Sequence, residues 1–359
     1  MGTIIERRRA NGSTGYSARI VVQRAGVVHR ETQTFDRRAA ATAWIKRRER
    51  ELSEPGALDR KKADDPTLGE AIDRYIRESR KAIGRTKAQV LNAIKAFPIA
   101  ERPCSEVTNA EIAAFMQELS EGRTPATVGN YVSHLSAVMN TARDLWGWPI
   151  SPTAMKEAQR GARSLGVIAK SRSRERVPTL PELDRLMAHF GDVLRRRSNS
   201  LPMQRIVAFA LFSTRRQEEI LRIAWADLDE AHSKVLVRDM KHPGQKVGND
   251  QWCELPPEAL AIALAMPRIS DRIFPFNTDA VSTSFTRACA FLGIEDLHFH
   301  DMRHAGVSRL FEMGRTLPQA AAVSGHRSWQ SLQRYTHISQ KGDRMASWPW
   351  LKVVTEPEP

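Results

Sequence analysis

Apolar and polar residues alternate with period two over the first 35 positions and with a helical period afterwards. Gly2–Arg9, Tyr16–Gln23 and Val27–Phe35 are short β-rich runs, separated by the turn-forming stretches Asn11–Gly15 and Ala25–Gly26. That pattern reads as three strands. With Asp36 as an N-cap, Ala40, Ala43, Trp44 and Arg47 fall at helical spacing and predict a helix over Arg37–Leu52. Ser53–Pro66, with Pro55, Gly56, Asp64, Asp65 and Pro66, reads as a linker. Helical stripes follow: Leu68, Ala71, Ile72 and Tyr75; then Ile112, Phe115, Met116 and Leu119 after Thr108; then Val128, Tyr131, Val132, Leu135, Val138, Met139 and Ala142. No strand signal interrupts them, so residues 66–160 are expected to be all-α, with these stripes as core. Gly161–Arg176 is basic and glycine-containing, shows no stripe, and reads as a second, extended linker. Beyond Val177 the pattern is mixed. Helices are expected near Pro181–Phe190, Met203–Ile223, Pro257–Ala265 and Thr278–Leu292, with a strand pair at Lys234–Arg238 and Gln251–Leu255.

The expected fold class is therefore multidomain, mainly α with small β-sheets. A three-stranded sheet plus helix occupies 1–55, an all-α domain 66–162, a linker 163–176, a mixed α+β domain 177–345 and a tail 346–359.

Charge changes the picture next. The chain has 359 residues and a formal net charge of +14, with a pI near 10.1. So basic a balance favours a polyanionic partner, because each Lys or Arg on a phosphate releases counterions. The excess is uneven. Residues 1–62 hold 15 Lys+Arg against 7 Asp+Glu, which is +8 of the +14. The N-terminal module thus has the composition of an arm that grips nucleic acid. Arg7, Arg8, Arg9 and Arg19 are its candidate phosphate contacts, and Lys170, Arg172 and Arg174 those of the second linker. Cys104, Cys253 and Cys289 are far apart and odd in number, which argues against a disulfide framework or a zinc site and fits a reducing cytosol. No run of about 18 apolar residues exists to span a membrane, and the charged start MGTIIERRR lacks a signal region. A cytoplasmic protein without a membrane partner is expected.

Candidate chemistry lies in the last 150 or so residues: Arg216 with Glu219 three residues on, His300 with Arg303, then Gly325-His326, and Tyr335 nine residues after that histidine. Cleaving a phosphodiester without a metal needs such a set. A hydroxyl attacks phosphorus, cations stabilise the non-bridging oxygens, and an acid protonates the leaving 5′ oxygen. Singly, each piece is ordinary. His-x-x-Arg is commonly a helix-surface pair, a tyrosine near a C-terminus commonly packs, and Arg216 could simply pair with Glu219 across one turn. Order and spacing together point to chemistry.

Phe209–Asp229 (FALFSTRRQEEILRIAWADLD) resembles the first signature block of the tyrosine recombinases, and His298–Ile338 resembles the second: His-x-x-Arg, Gly-His, then Tyr. The resemblance covers residues 177–340, about half of the chain. It extends more weakly to Leu135–Pro152, which looks like the end of that family's core-binding domain. Within the family, IEDLHFHDMRH and SGHRS are most similar to phage integrases and shufflon-specific recombinases.

The resemblance implies roles for individual residues. Arg216 and Arg303 match the arginines that hold the scissile phosphate, with planar forks that each reach two oxygens. His300 matches the histidine that contacts the phosphate and handles the tyrosine proton, and His326 one that hydrogen-bonds the phosphate. Tyr335 matches the nucleophile that forms a 3′-phosphotyrosyl bond. Lys241, in Asp239-Met-Lys241-His-Pro-Gly-Gln-Lys246 between the expected strands, matches the general acid, with Lys246 as a rival because the turn departs from the commoner form. Glu219 is expected to position Arg216, and Asp301 to orient an arginine or cap a helix. His304 and His337 match no catalytic role and are expected to be structural. No cofactor is implied and no metal is needed, since two arginines do the charge work of a metal pair.

The function implied is site-specific DNA recombination that integrates, excises or inverts. The expected partners are double-stranded DNA sites and three further copies of the chain in a tetramer on DNA, with room for accessory DNA-bending proteins. The alternatives are a non-cleaving DNA-binding regulator on the same fold and a relaxing topoisomerase of related chemistry. Trp348, Trp350, Leu351, Val353 and Val354 cluster in the tail. The resemblance favours docking into a neighbouring protomer over folding back on the chain's own domain.

Overall fold

A computed structural model describes residues 2–8, 14–24, 27–53, 65–171, 174–240 and 248–357, without the side chains of 7, 8, 23, 24 and 27–30. The chain divides into two compact units, residues 1–172 and 173–359, each described here by itself.

In the first unit, β1 (Thr3–Arg8), β2 (Thr14–Arg24) and β3 (Val27–Phe35) form an antiparallel sheet in chain order. Ala18 and Ile20 of β2 point to one face and meet Ala41, Trp44, Ile45 and Leu52 of α1 (Arg38–Ser53). The helix begins after the expected Asp36 cap, with Arg37 O accepting the Ala41 N–H. Its buried stripe is also one residue out of phase with the expected one: Ala41 and Ile45 are inside, while Ala40 and Ala43 are exposed. Alanines on both faces do not set a phase; Trp44 and Ile45 do. A buried-side clamp, Arg48 to both carboxylate oxygens of Glu31 at 2.9 and 2.7 Å, ties α1 to β3.

The helical part comprises α2 (Leu68–Glu78), α3 (Arg85–Ile94), α4 (Asn109–Ser120), α5 (Pro125–Asp144) and α6 (Ala154–Ser164). Thr67, Thr108 and Thr124 cap their helices by accepting backbone N–H groups, as Thr at an N-cap does. The stripe Val128–Val132–Leu135–Val138–Met139–Ala142 is buried along α5, against which α2, α3 and α4 pack, while α6 packs on α4. One boundary is corrected. The linker expected from Gly161 does not begin there, because α6 continues to Ser164 on a buried stripe of Ala154, Met155, Ala158 and Ala162, and Ile168 is buried beyond it. Three of those four residues are alanines, whose weak apolar signal hid the period.

The second unit is built on α8 (Met203–Ser213), buried at almost every position. Around it stand α7 (Leu180–Arg196), α10 (Pro257–Leu264), α11 (Thr278–Phe291) and α12 (Asp301–Glu312). Strands β4 (Leu228–Asp229), β5 (Lys234–Val237) and β6 (Gln251–Glu254) form an antiparallel sheet with Val235 opposite Cys253. The approach of α12 to α8 depends on Gly306: a Cβ there would lie 2.0 Å from Leu211 O. The single helix expected over Met203–Ile223 is broken. Thr214 adopts φ 57°, ψ 21°, Arg216 is extended, and a short α9 (Gln217–Ile220) follows. The Arg303 guanidinium donates to Thr214 O, a tertiary bond that takes this carbonyl out of the helical ladder.

The tail, expected to dock on a neighbouring protomer, packs within this chain on its own unit. Trp348 is buried beside Phe212, and α14 (Trp350–Thr355) packs on α8 and α10. The indole N–H groups of Trp348 and Trp350 both donate to Asp184 Oδ1 at 3.0 Å. Upstream, buried Arg309 binds both Asp343 and Glu258, anchoring the start of the tail. Among the described residues no helix is long and apolar enough to cross a membrane.

Candidate active site

Arg216 stands at the N-cap of α9, outside the helix, so its side chain leaves the break after α8. Glu219, 2% exposed, accepts from the Arg216 backbone N–H at 3.1 Å and from its guanidinium at 2.6 Å. Burial pushes the Glu219 carboxyl up, but Arg215, Arg216 and Arg303 together outweigh it and hold the group below the usual carboxylate range. Arg303, on the first turn of α12, donates to Thr214 O and, at 3.0 Å, to Ser324 O. Both acceptors are neutral carbonyls. Burial first, and then the charges of Arg215 and Arg216, bring Arg303 down to about 9.

His326 follows α13 (Leu317–Ser324) and Gly325, which takes φ 68°. A Cβ on Gly325 would meet Met240 Cε at 2.6 Å, so glycine admits the hairpin side chain here. His326 Nε2 lies 3.1 Å from the Arg303 guanidinium, and Nδ1 2.7 Å from Ser324 Oγ. Arginine has only donors, so Nε2 accepts and Nδ1–H faces the serine hydroxyl. Burial, and then Arg303, push this imidazole down to about 3, so it is neutral at physiological pH.

Tyr335 sits in a short helical turn and is 6% exposed. Burial raises its phenol, with Arg334 and Arg303 offsetting part of the effect. Its ring stacks on Phe311 at 6.0 Å and 14°. Its Oη lies 2.5 Å from His304 Nδ1, a residue expected to be merely structural. His300 is exposed at the start of α12, its ring 5.1 Å from that of His304. Asp301, fully buried, accepts from the His298 N–H at 2.8 Å and from Arg174 at 2.8 and 3.2 Å. It thereby ties the segment before α12 to the helix start and engages the arginine at once; no side chain caps the helix at His300.

The structure brings Arg216, Glu219, Arg303 and His326 together and sets Tyr335 with His304 beside them on α12. It gives the other sequence candidates different places. The Arg174 guanidinium, expected as a phosphate contact, is ion-paired with Asp301 and Asp296 and remains 35% exposed. Arg19 and Lys170 are exposed. The side chains of Arg7 and Arg8 in β1, and all of Arg9, Arg172, Lys241 and Lys246, lie outside the described residues.

Two site residues were not read from the sequence. Arg215 is fully buried and donates to Val323 O, Cys253 Sγ and Ser213 O, and among the described residues no carboxylate is bonded to it. The tandem Arg215-Arg216 was its only signal. His304 was signalled by its spacing of four from His300, which puts both rings on one helix face. Arg215, Arg216 and Arg303 carry three positive charges against the one carboxylate of Glu219. A largely buried surplus of positive charge of this kind attracts an anion.

Comparison with known proteins fits that chemistry. The phage integrase family model matches residues 179–341. The chain is 31% identical over 284 residues to a shufflon-specific DNA recombinase of Escherichia coli, covering 76% of this chain and 69% of that protein. It is similar in structure to the Tn1549 transposon integrase in complex with circular intermediate DNA: TM-score 0.58, 14% identity, 81% of this chain and 99% of that one. A lambda integrase dimer bound to a core site gives a TM-score of 0.51 at 20% identity over 96% of each chain. At such identities the two structures speak for the fold alone. The chain belongs to the phage integrase family and is a tyrosine-type site-specific DNA recombinase.

Proposed function

We propose that this recombinase cuts and rejoins each DNA strand through a 3′-phosphotyrosyl bond on Tyr335. The observation that carries the reading is the surplus of positive charge at buried Arg215 and Arg303 and half-buried Arg216, beside a buried tyrosine. A phosphodiester entering this site relieves the repulsion that depresses Arg303, and the relief grows as charge builds on its oxygens in the transition state. Arg303 and Arg216 contact the non-bridging oxygens, and Glu219 keeps Arg216 extended toward them. His326 joins them once its Nε2 turns from accepting to donating. Lys241, with Lys246 as the rival, protonates the leaving 5′ oxygen. Attack exchanges one phosphate ester for another, so rejoining draws on no ATP. Strand exchange between two duplexes cuts four strands, and four chains on DNA form the working unit.

In the first unit an open groove of about 660 Å³ mixes apolar walls with Asn130, Ser133, Arg163 and Lys170; its two basic side chains, with no carboxylate among the lining residues, suit backbone phosphates. With the exposed Arg19 of the N-terminal module it supports DNA contacts outside the catalytic unit. The test is covalent capture: denature the protein on DNA of its host element and sequence the attached fragments. Adducts at defined sites, absent with Tyr335→Phe, are expected. Tight binding at defined sites without any adduct would instead identify a non-cleaving DNA-binding protein.

A further inference from the structure

His304 stands one helical turn beyond His300 on α12, and the two rings meet at right angles with centroids 5.1 Å apart. Its Nδ1 is the atom bonded to the Tyr335 hydroxyl, at 2.5 Å, while Phe311 fixes the plane of the tyrosine ring from the other side. Burial first, and then His300, lower His304 to about 4, and burial raises Tyr335. The direction of the bond follows. At neutral pH the phenol keeps its proton and donates it to an unprotonated Nδ1. The charged and titratable groups around His304 are His300, Asp301 and Arg303 on its own helix, Arg334 and His337 of the tyrosine segment, and Arg174 and Glu175 where the unit begins. Arginines outnumber carboxylates among them, so His304 resists protonation until an anion enters.

We propose that His304 is the base that takes the Tyr335 proton during cleavage, in place of the His300 role implied by family resemblance. The inference rests on the reading that Tyr335 is the nucleophile. In the step, the Oη–H bond breaks and its proton passes to His304 Nδ1. Oη bonds to phosphorus, and the P–O5′ bond breaks with its electron pair on O5′. O5′ then takes a proton from the acid assigned above to Lys241. The phosphodiester keeps its single negative charge, and His304 is left as an imidazolium beside it. Rejoining runs the same transfers backwards, with His304 returning the proton to the departing phenolate. The bound phosphodiester supplies the anion that makes protonation of His304 favourable at the moment it is needed.

The experiment is chemical rescue. His304 and Tyr335 line a cavity of about 180 Å³ that also touches Val177, Ser308 and Ile338, so His304→Ala leaves a hole that a small ring can enter. Single-turnover adduct formation is measured at neutral pH on a nicked duplex carrying a site found by covalent capture. His304→Ala should bind that duplex normally and cleave it about 10²-fold more slowly or worse. Added imidazole should restore part of the rate, whereas pyrazole, of the same size and far weaker as a base, should not. Equal rescue by the two rings would mean that His304 only fills space, and cleavage within about twofold of wild type would mean that it does nothing; either overturns the proposal. His304→Asn guards against a folding defect, since its side-chain oxygen keeps an acceptor near Nδ1 but cannot carry the proton. It should be as slow as the alanine variant, and a wild-type rate would reduce His304 to a positioning group. Tyr335→Phe is run alongside. If that variant also forms the adduct, the nucleophile is misassigned and the underlying reading has failed, not the choice of base.

Discussion

Between Leu68 and Ile168 the described interior is apolar, a core of Leu, Ile, Val, Met and Ala side chains lying around α5. Between Arg205 and Ser324 the interior holds Arg205, Arg215, Glu219, Asp227, Asp301, Arg303 and Arg309, all under a tenth exposed. Every buried polar or charged residue among those described belongs to this second region. The two regions have similar apolar cores, so the difference is not one of folding need. An isolated charge moved out of water costs several kcal/mol even after relaxation. Asp301 and Arg309 meet that cost with direct opposite charges. Arg215 and Arg303 do not: they are hydrogen-bonded to carbonyls and a thiol, and they repel each other. A fold that tolerates such an arrangement keeps it for a ligand that is absent until DNA binds. The helical domain carries its charges at the surface, so the DNA contacts proposed for it rest on exposed groups.

The largest expected effect is on Tyr335. Tyr335→Phe removes the attacking oxygen and one hydrogen bond, worth about 1 kcal/mol net. Adduct formation should fall below detection while site affinity and thermal midpoint barely move; recombination at wild-type frequency would remove the central reading. Next comes Arg303→Lys. Charge survives, but the fork that spans Thr214 O and Ser324 O is lost, and a drop of about 10²–10³ in cleavage rate is expected. A change of less than about threefold would show that Arg303 acts as a mere point charge.

Arg215→Met sharpens the comparison, because it should separate stability from function. Replacing a buried charge by an apolar side chain of similar length is often neutral or stabilising. Thermal denaturation should therefore show a midpoint unchanged or raised, while single-turnover cleavage falls about tenfold as the phosphate loses part of its attraction. A variant that is both less stable and fully active would invert the argument.

Acid should also distinguish the regions. His304 and His326 have folded values of about 4 and about 3, below the value near 6.5 of an exposed histidine. Between those limits the unfolded chain binds protons that the folded unit refuses, so stability falls as pH drops from about 6.5 toward 4. The depressed Glu219 acts lower still: its contribution is present above the ordinary carboxylate value and is lost as pH falls through its folded one. Amide-exchange protection, taken relative to the intrinsic exchange rate at each pH, should therefore drop between pH 7 and pH 5 in α8 and α12 before it does in α5. A uniform drop across both regions would break the comparison.

The smallest effect belongs to the helical domain's surface. Lys170→Ala should weaken DNA binding evenly across sequences and reduce the salt slope by about 1, leaving the rate of cleavage from the bound state unchanged. An unaltered slope would take the groove beside α5 out of the DNA interface.

Much of this molecule could be read along the chain. The stripe on α5 and the strands of the N-terminal sheet were legible because each is set by local period against one buried face. Arg216, Arg303, His326 and Tyr335 stood out because their order and spacing are unusual, and the structure brings Arg216, Arg303 and His326 within one site. The reading failed where a distant partner decided the outcome. The α8 break at Thr214 depends on a guanidinium 89 residues away. Nothing local to Arg174, basic and in a linker, announced its pairing with Asp301 and Asp296.

By itself the sequence determined the class of elements, the family and the chemical inventory of the site, since period, composition and residue type are properties of the chain alone. The tertiary structure decided three further things: that the tail closes on Asp184 and α8 of its own unit, that Arg215 lies inside with its charge unpaired by any bonded carboxylate among the described residues, and that Tyr335 gives its hydrogen bond to His304 and not to His300. Each depends on which surfaces meet across long sequence separations, where burial strengthens every charge and hydrogen bond, and no local pattern records that meeting.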